Sequence, residues 1–305
     1  METLLLTGAS SFTAPYIARE ATKLGFKVVG TSLSGKYKNQ CFDKIVQCDI
    51  TKQHDVSKVI TDIKPSKVIH LAGLSFVGHS NPEDFYRANT IGTDIILSCL
   101  KKLNHNVSSI LISSSANVYG KPNITRIDES LAPAPLNHYA SSKLAMEHIA
   151  RTYSESLPII IARPFNYVGH GQNPLFVVPK IVSAFANQQS ILELGNINVS
   201  RDFSSVYDIT RAYLELINCD QALGKTFNVC SGHPTSLEFI ISSLTEISGA
   251  NINIATNENY VRKNEIPSLT GSNEKLLRYI SGWQPTRSLI PILTEMYEKQ
   301  VQCRG

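Results

Sequence analysis

Thr3-Leu4-Leu5-Leu6-Thr7-Gly8-Ala9-Ser10-Ser11-Phe12-Thr13-Ala14 is an apolar run that breaks at a glycine and leads into Pro15-Tyr16-Ile17-Ala18-Arg19. Thr3 to Thr7 reads as a buried strand, and Ala14 to Leu24 as a helix that ends at Gly25. The turn has GxxGxxG spacing, with Gly8 in the first place and Ser11 and Ala14 in the second and third. Gly8 permits the tight turn. Backbone N–H groups and the helix N-terminus can then hold a pyrophosphate. Alanine is tolerated at the third position. Ser11 puts a side chain where backbone should approach phosphate, although its hydroxyl can donate to that phosphate. An ordinary strand–helix turn is the alternative.

Working outward, short apolar runs alternate with helical segments. Lys27–Thr31, Ile45–Cys48, Lys67–Leu71, Ser109–Ser113 and Pro158–Ala162 read as strands. Asp55 to Ile63, a long stretch from Asn81-Pro82 to Leu103, and Tyr139 to Ser156 read as helices. Near-continuous apolar strands separated by helices imply a parallel sheet covered on both faces, hence a doubly wound α/β (Rossmann) fold. Such sheets bind ligands at the carboxyl ends of their strands. After Arg163 the pattern loosens, and the chain is expected to return to the sheet near Lys225–Val229. The expected division is a cofactor-binding domain of 1–163 plus about 199–230, and a smaller C-terminal α+β substrate domain of 164–198 and 231–305.

A chain of 305 residues with 42% hydrophobic and 18% charged residues has enough apolar surface for a real core, which excludes disorder. A net charge of +4, with no Lys/Arg block, argues against nucleic acid as a partner. The six cysteines are scattered without CxxC, so neither a disulfide framework nor a metal site is expected, and a reducing cytoplasm is the expected location. No apolar stretch approaches the ~20 residues of a membrane span, and three leucines after Met1 are too few for a signal peptide.

An NAD-binding fold usually ends its second strand with an acid that grips the ribose 2′-hydroxyl. Here Gly30-Thr31-Ser32-Leu33-Ser34-Gly35-Lys36-Tyr37-Lys38 has no acid. Its hydroxyls and two lysines favour NADPH over NADH, the alternative being solvated loop lysines. Asp49 either accepts from an adenine amino group or caps the next turn. Tyr139 and Lys143 are spaced i, i+4 and project from one helix face. A tyrosine hydroxyl with an ordinary pKa of about 10 needs a nearby ammonium to work as an acid–base group at neutral pH. Ser113-Ser114-Ser115-Ala116-Asn117-Val118-Tyr119-Gly120 directly follows the fifth strand and puts Ser115 at the carboxyl edge, where it can hydrogen-bond a substrate oxygen beside Tyr139.

These segments resemble the extended short-chain dehydrogenase/reductases of the nucleotide-sugar epimerase/dehydratase superfamily over nearly the whole chain. His70-Leu71-Ala72-Gly73, Tyr139-Ala140-Ser141-Ser142-Lys143, Arg163-Pro164-Phe165-Asn166, Ser200-Arg201-Asp202-Phe203, Val206-Tyr207-Asp208 and Asn228-Val229-Cys230-Ser231-Gly232 carry the likeness. Leu74-Ser75-Phe76-Val77-Gly78 and Arg262-Lys263-Asn264-Glu265 are similar to segments of the branch that acts on GDP-4-keto-6-deoxy-sugars. The resemblance implies Tyr139 as acid, Lys143 as its pKa tuner and ribose ligand, and Ser115 as the third catalytic member. It implies a cofactor held by Gly8, Ser10, Ser11, Phe12, Thr13, Ser32, Lys36, Asp49, Ile50, Leu71, Ala72 and Gly73, with Pro164 and Phe165 near the nicotinamide. It implies a sugar nucleotide held by Ser75, Phe76, Asn117, Asn166, Val178 and Lys180, with Arg201 and Arg262 on the diphosphate or nucleoside and Glu265 on ribose hydroxyls.

Dehydratases of the superfamily carry a Glu two residues after the catalytic Ser/Thr, where this chain has Asn117, and an amide cannot act as a general base. GDP-fucose-forming epimerase–reductases show a Cys where this chain has Ala116. What remains is reduction of the C4 ketone of a GDP-4-keto-6-deoxy hexose or heptose, toward an activated deoxy sugar for surface polysaccharide. A nucleotide-sugar 4-epimerase with tightly bound NAD is the alternative enzyme, and a non-catalytic NADP sensor the alternative from another class. The superfamily also implies a homodimer through the helices around 81–103 and 139–156.

Overall fold

The computed structural model describes residues 1–103, 105–260, 268–286 and 288–303. Seven strands, β1 (Thr3–Thr7), β2 (Lys27–Ser32), β3 (Lys44–Gln47), β4 (Lys67–His70), β5 (Ser109–Ser113), β7 (Ile159–Pro164) and β11 (Thr226–Val229), form one sheet in the order β11-β7-β5-β4-β1-β2-β3. Each neighbouring pair is parallel. All seven runs read as strands in the sequence are there, within a residue or two at their ends. Their near-continuous apolarity follows from burial on both faces. Leu4 and Leu6 point into one core with Val28, Ile69 and Leu111, whereas Leu5 points into the other with Val29, Val68 and Ile110.

Helices α1 (Ala14–Lys23) and α7 (Val206–Ile217) cover the first face. The second is covered by α2 (Gln53–Ile63), α4 (Gly92–Lys102) and α5 (His138–Thr152). The strand order reverses between β1 and β4, which puts the ligand crevice over that pair. Gly8 sits there with φ +74°, and a Cβ on it would lie 2.8 Å from the Ala72 Cα, so the close approach demands glycine.

The long helix expected from Asn81 to Leu103 is interrupted. After α3 (Pro82–Phe85), residues Tyr86–Ile91 form a π-helical turn before α4 begins. Its wider winding accompanies inward placement of the fully buried Asn89, which clamps the chain after β4: its Oδ1 accepts from the Leu74 N–H at 2.9 Å and its Nδ2 donates to the Leu74 carbonyl at 3.1 Å.

The rest of the chain builds a second layer. A mixed sheet in the order β12-β10-β14-β6 joins β12 (Pro234–Ser236), β10 (Ser200–Ser205), β14 (Ser268–Gly271) and β6 (Arg126–Ile127), with β8 (Asn166–Val168) paired to β10. A separate pair joins β13 (Asn253–Thr256) to β9 (Ile191–Leu194). A core beneath these strands is closed by α6 (Val177–Ala186), α8 (Leu237–Ser248) and α10 (Ile290–Gln302). Strand β10 pairs within the small sheet, whereas α7 packs on the first core and β11 pairs with β7 of the large sheet. The short helix α9 (Glu274–Tyr279) and the fully buried Trp283 also pack on the first core, and the Trp283 Nε1–H donates to the Asp208 carbonyl at 2.9 Å. Among the described residues no helix is long and apolar enough to cross a membrane.

Candidate active site

The chain leaves β5 as Ser113-Ser114-Ser115 and turns into a short 3₁₀ segment, Ala116–Tyr119. Ser115 caps it. Its Oγ accepts from the Asn117 backbone N–H at 3.2 Å and from the Asn117 Nδ2 at 3.2 Å. A serine hydroxyl has two acceptor sites and one proton. With both acceptor sites filled by Asn117, Ser115 keeps its proton to donate, and its hydroxyl lowers the Tyr139 pKa against the effect of burial. Asn117 thus supports Ser115 with a hydrogen bond that a carboxylate could not donate.

Helix α5 begins at His138 because the Asn137 side chain accepts from the Ala140 N–H at 2.9 Å. One turn apart on its buried face, Tyr139 and Lys143 are each 7% exposed. Burial pushes the Tyr139 hydroxyl up to about 12, against the lowering effect of Ser115. Burial lowers the Lys143 ammonium to about 8, with Glu147 opposing. The Lys143 Nζ donates to the Ser113 carbonyl at 2.8 Å. Desolvation therefore outweighs the lowering of Tyr139 expected from Lys143, whose proton is directed at the strand end. At neutral pH Tyr139 is a proton donor beside a cation.

Two buried networks hold this face, and neither was apparent from the sequence. In the first, Glu147 receives the Arg163 Nε and Nη2 at 2.8 and 2.6 Å, a two-pronged pair, and the Ser114 Oγ at 2.6 Å. Arg163 stacks 4.8 Å from the centroid of Tyr119, whose hydroxyl donates to the Asn228 Oδ1 at 2.7 Å. In the second, the Thr93 hydroxyl donates to the Asn89 carbonyl at 2.6 Å and so can only accept from the His70 Nε2, 2.8 Å away. His70, held neutral by burial and by the nearby Lys143, is pushed down to about 3. Its Nδ1 accepts from Thr7 Oγ1 at 2.6 Å, and Thr7 Oγ1 accepts in turn from the Leu71 and Ala72 N–H groups, each at 3.2 Å. Asn89 also donates to the Ser142 Oγ at 3.0 Å, which joins the ends of β1 and β4 to the catalytic helix.

The residues at the glycine turn fit a dinucleotide. The first turn of α1 has no side-chain cap, because the Thr13 hydroxyl pairs with the Tyr167 hydroxyl at 2.9 Å, so its N–H groups face a ligand's anion. Ser11 Oγ and Ser32 Oγ are buried without a protein partner. A groove of ≈ 580 Å³ runs past Ser10, Ser32 and Lys36. Asp49 caps the following turn: burial would raise its carboxyl, but the Thr51 hydroxyl and N–H and the Lys52 ammonium hold it below the ordinary value. Ile50 packs against the second-face core. Gly73 lies against Asn89, and a Cβ there would lie 3.8 Å from the Lys143 Nζ.

The expected substrate residues are more dispersed. Ser75, Phe76, Asn117 and Asn166 are exposed at the carboxyl edge, and the Phe76 ring meets Phe176 edge-to-face at 6.0 Å. Pro164 and Phe165 are buried beside them. The Val178 side chain packs inside the second-layer core. The Lys180 Nζ donates to the Glu193 carbonyl at 2.7 Å and sits 4.1 Å over the Tyr260 ring. Arg201 lies on β10 with its Nη1 donating to the Ser200 carbonyl at 2.8 Å. Arg262 and Glu265 fall outside the described residues.

A family model described as GDP-mannose 4,6 dehydratase matches residues 5–296. A GDP-6-deoxy-D-talose 4-dehydrogenase of Aggregatibacter actinomycetemcomitans is 37% identical over 301 residues, 98% of either chain. A GDP-6-deoxy-D-mannose reductase of Pseudomonas aeruginosa is 34% identical over 253 residues, 78% of this chain and 82% of the relative. The solved structure of RMD from Pseudomonas aeruginosa complexed with NADPH superposes with a TM-score of 0.85 at 28% identity, covering 99% of this chain and 100% of that one. The sheet order, the Ser115/Tyr139/Lys143 set and these matches agree: the chain belongs to the GDP-mannose 4,6-dehydratase family, as an oxidoreductase of the extended short-chain dehydrogenase/reductase type.

Proposed function

We propose that the protein reduces the C4 ketone of a GDP-4-keto-6-deoxy-hexose with NADPH, GDP-4-keto-6-deoxymannose being the substrate and GDP-6-deoxy-D-talose the product. The observation that carries the reading is the pairing of Ser115, whose acceptor sites Asn117 fills, with the buried Tyr139 and Lys143 one turn apart on α5. The names of the two relatives, both at the C4 oxidation level of a GDP-6-deoxy-hexose, supply the substrate class. When bound, NADPH supplies the hydride.

The chain's own residues do the rest. Ser115 and Tyr139 hydrogen-bond the ketone oxygen, and Tyr139 gives its proton to the oxygen as negative charge develops there. Lys143 stabilises the tyrosinate left behind. With Asn117 where a dehydratase needs a carboxylate base, no group at that position can remove a ring proton, which favours reduction over 4,6-dehydration. Arg201 supports the reading as a cation on β10 for the diphosphate, and Ser75, Phe76 and Asn166 as the wall of the sugar site.

Purified protein mixed with GDP-4-keto-6-deoxymannose is expected to oxidise NADPH stoichiometrically, and Tyr139→Phe to lose at least ~10²-fold in kcat. An absence of oxidation, or NAD retained without net turnover as in a 4-epimerase, would overturn the reading. A GDP-D-rhamnose product would keep the reaction and correct the face of attack. A homodimer through the outward sides of α4 and α5 belongs to the same reading. Light scattering at micromolar concentration should give twice the chain mass, and a monomer would contradict it.

A further inference from the structure

We propose that Arg19, on the outward face of α1, grips the adenosine 2′-phosphate of the cofactor together with Lys36, and so sets the preference for NADPH over NADH. The inference rests on the NADPH reading above and adds a residue from a helix, five positions beyond Ala14 at the end of the phosphate turn.

Two grooves meet beside that turn. The ≈ 580 Å³ groove past Lys36 and a second of ≈ 270 Å³ past Arg19 share Ser10 and Tyr37 in their linings. No Asp or Glu lines either groove. Lys299, also in the second groove, is matched by Glu295 at 2.5 Å. Among the described residues, the groove-lining cations with no carboxylate ion pair are Lys36 and Arg19. A 2′-phosphate brings about 1.5 to 2 negative charges and several acceptor oxygens, which a guanidinium fork meets better than an ammonium.

Arg19 rises from a fixed platform. Tyr16 and Arg19 lie three residues apart on one face of α1, and Phe12, just before the helix, lines the same groove. The Tyr16 hydroxyl donates to the His170 carbonyl at 2.7 Å, and its ring packs edge-on against Phe12 at 5.7 Å and Tyr207 at 5.2 Å. From there the Arg19 guanidinium crosses to the connection between β2 and β3, with its Nη2 3.9 Å from the Cys41 Sγ. Its neighbour there is a thiol, not a carboxylate. In the lining of the first groove the Ser32 hydroxyl, at the end of β2, is buried without a protein partner, as a donor to phosphate would be.

Calorimetric titration of wild type and Arg19→Gln with adenosine 2′,5′-bisphosphate and with 5′-AMP tests this without turnover. The two ligands differ only in the 2′-phosphate. Wild type is expected to prefer the bisphosphate, and Arg19→Gln to weaken it by about tenfold or more, the scale of one charge-assisted contact. Affinity for 5′-AMP should stay within about twofold, which also reports that the variant is folded. A wild type with no preference would overturn the NADPH reading itself. A wild-type preference that survives in Arg19→Gln, or an equal loss for both ligands, would overturn the assignment of Arg19 and leave NADPH standing.

Discussion

At the scale of single residues, the chemistry turns on how few options each side chain has. Ser115 has its acceptor sites filled by Asn117, so it can only donate; Tyr139 is raised by burial, so it holds a proton to give; Lys143 is lowered by burial, so its charge is the group that titrates within reach of physiological pH. The sign follows. With Lys143 near 8 and Tyr139 near 12, the cation is present below pH 8 and is lost as pH rises through that value, while Tyr139 stays protonated. The rate of ketone reduction should therefore fall across about pH 7–9, approaching tenfold per unit above the pKa. A profile that stays flat to pH 10 would show that the Lys143 charge is not needed. Ser115, Tyr139 and Lys143 can be singled out as candidates in the sequence because spacing and position after a strand end are sequence properties. Burial decides their pKa values, and burial is visible only in the fold, which is why the dominance of desolvation over the Lys143 charge was not legible there.

At the scale of elements, helix α5 is held from both sides. The Glu147–Arg163 pair ties α5 to β7, and the chain His70–Thr93–Asn89–Ser142 ties it to the ends of β1 and β4. Glu147 is fully buried and Arg163 nearly so. Removing one partner of such a pair leaves an uncompensated buried charge, so Glu147→Ala is expected to destabilise the protein by about 3–5 kcal/mol in urea unfolding. A loss under about 1 kcal/mol, the scale of an exposed pair, would contradict the anchoring role. From sequence Glu147 lies one turn from Lys143 and looks like a surface partner. The π-helical turn was hidden for a similar reason: Asn89 in a run of helical residues reads the same whether the winding is α or π. The short strands of the second layer, two to six residues long, gave little periodicity to read.

At the scale of the whole molecule, the doubly wound sheet was the most legible feature, since burial of both faces makes its strands continuous apolar runs that no other arrangement requires. The order β11-β7-β5-β4-β1-β2-β3 puts the phosphate turn at the switch point and Ser115 at the end of β5 on the same carboxyl edge, a few strands away. The division of the chain was less legible. The Ser200–Ser205 strand pairs with β12, β14 and β8, and Trp283 packs on the first core, through contacts distant in sequence that no local pattern encodes. In the proposed reading, Arg201 on β10 of the second layer serves the sugar nucleotide and the turn after β1 serves the cofactor, so the two ends of the site come from different layers. The central claim, hydride delivery to C4 of a GDP-4-keto-6-deoxy-hexose, is tested most directly by following the label from 4-deuterated NADPH into the product by NMR. Deuterium at C4 of a GDP-6-deoxy-hexose, with one label transferred per cofactor consumed, is the predicted result; a product without deuterium at C4, or unchanged substrate with unconsumed cofactor, would contradict it.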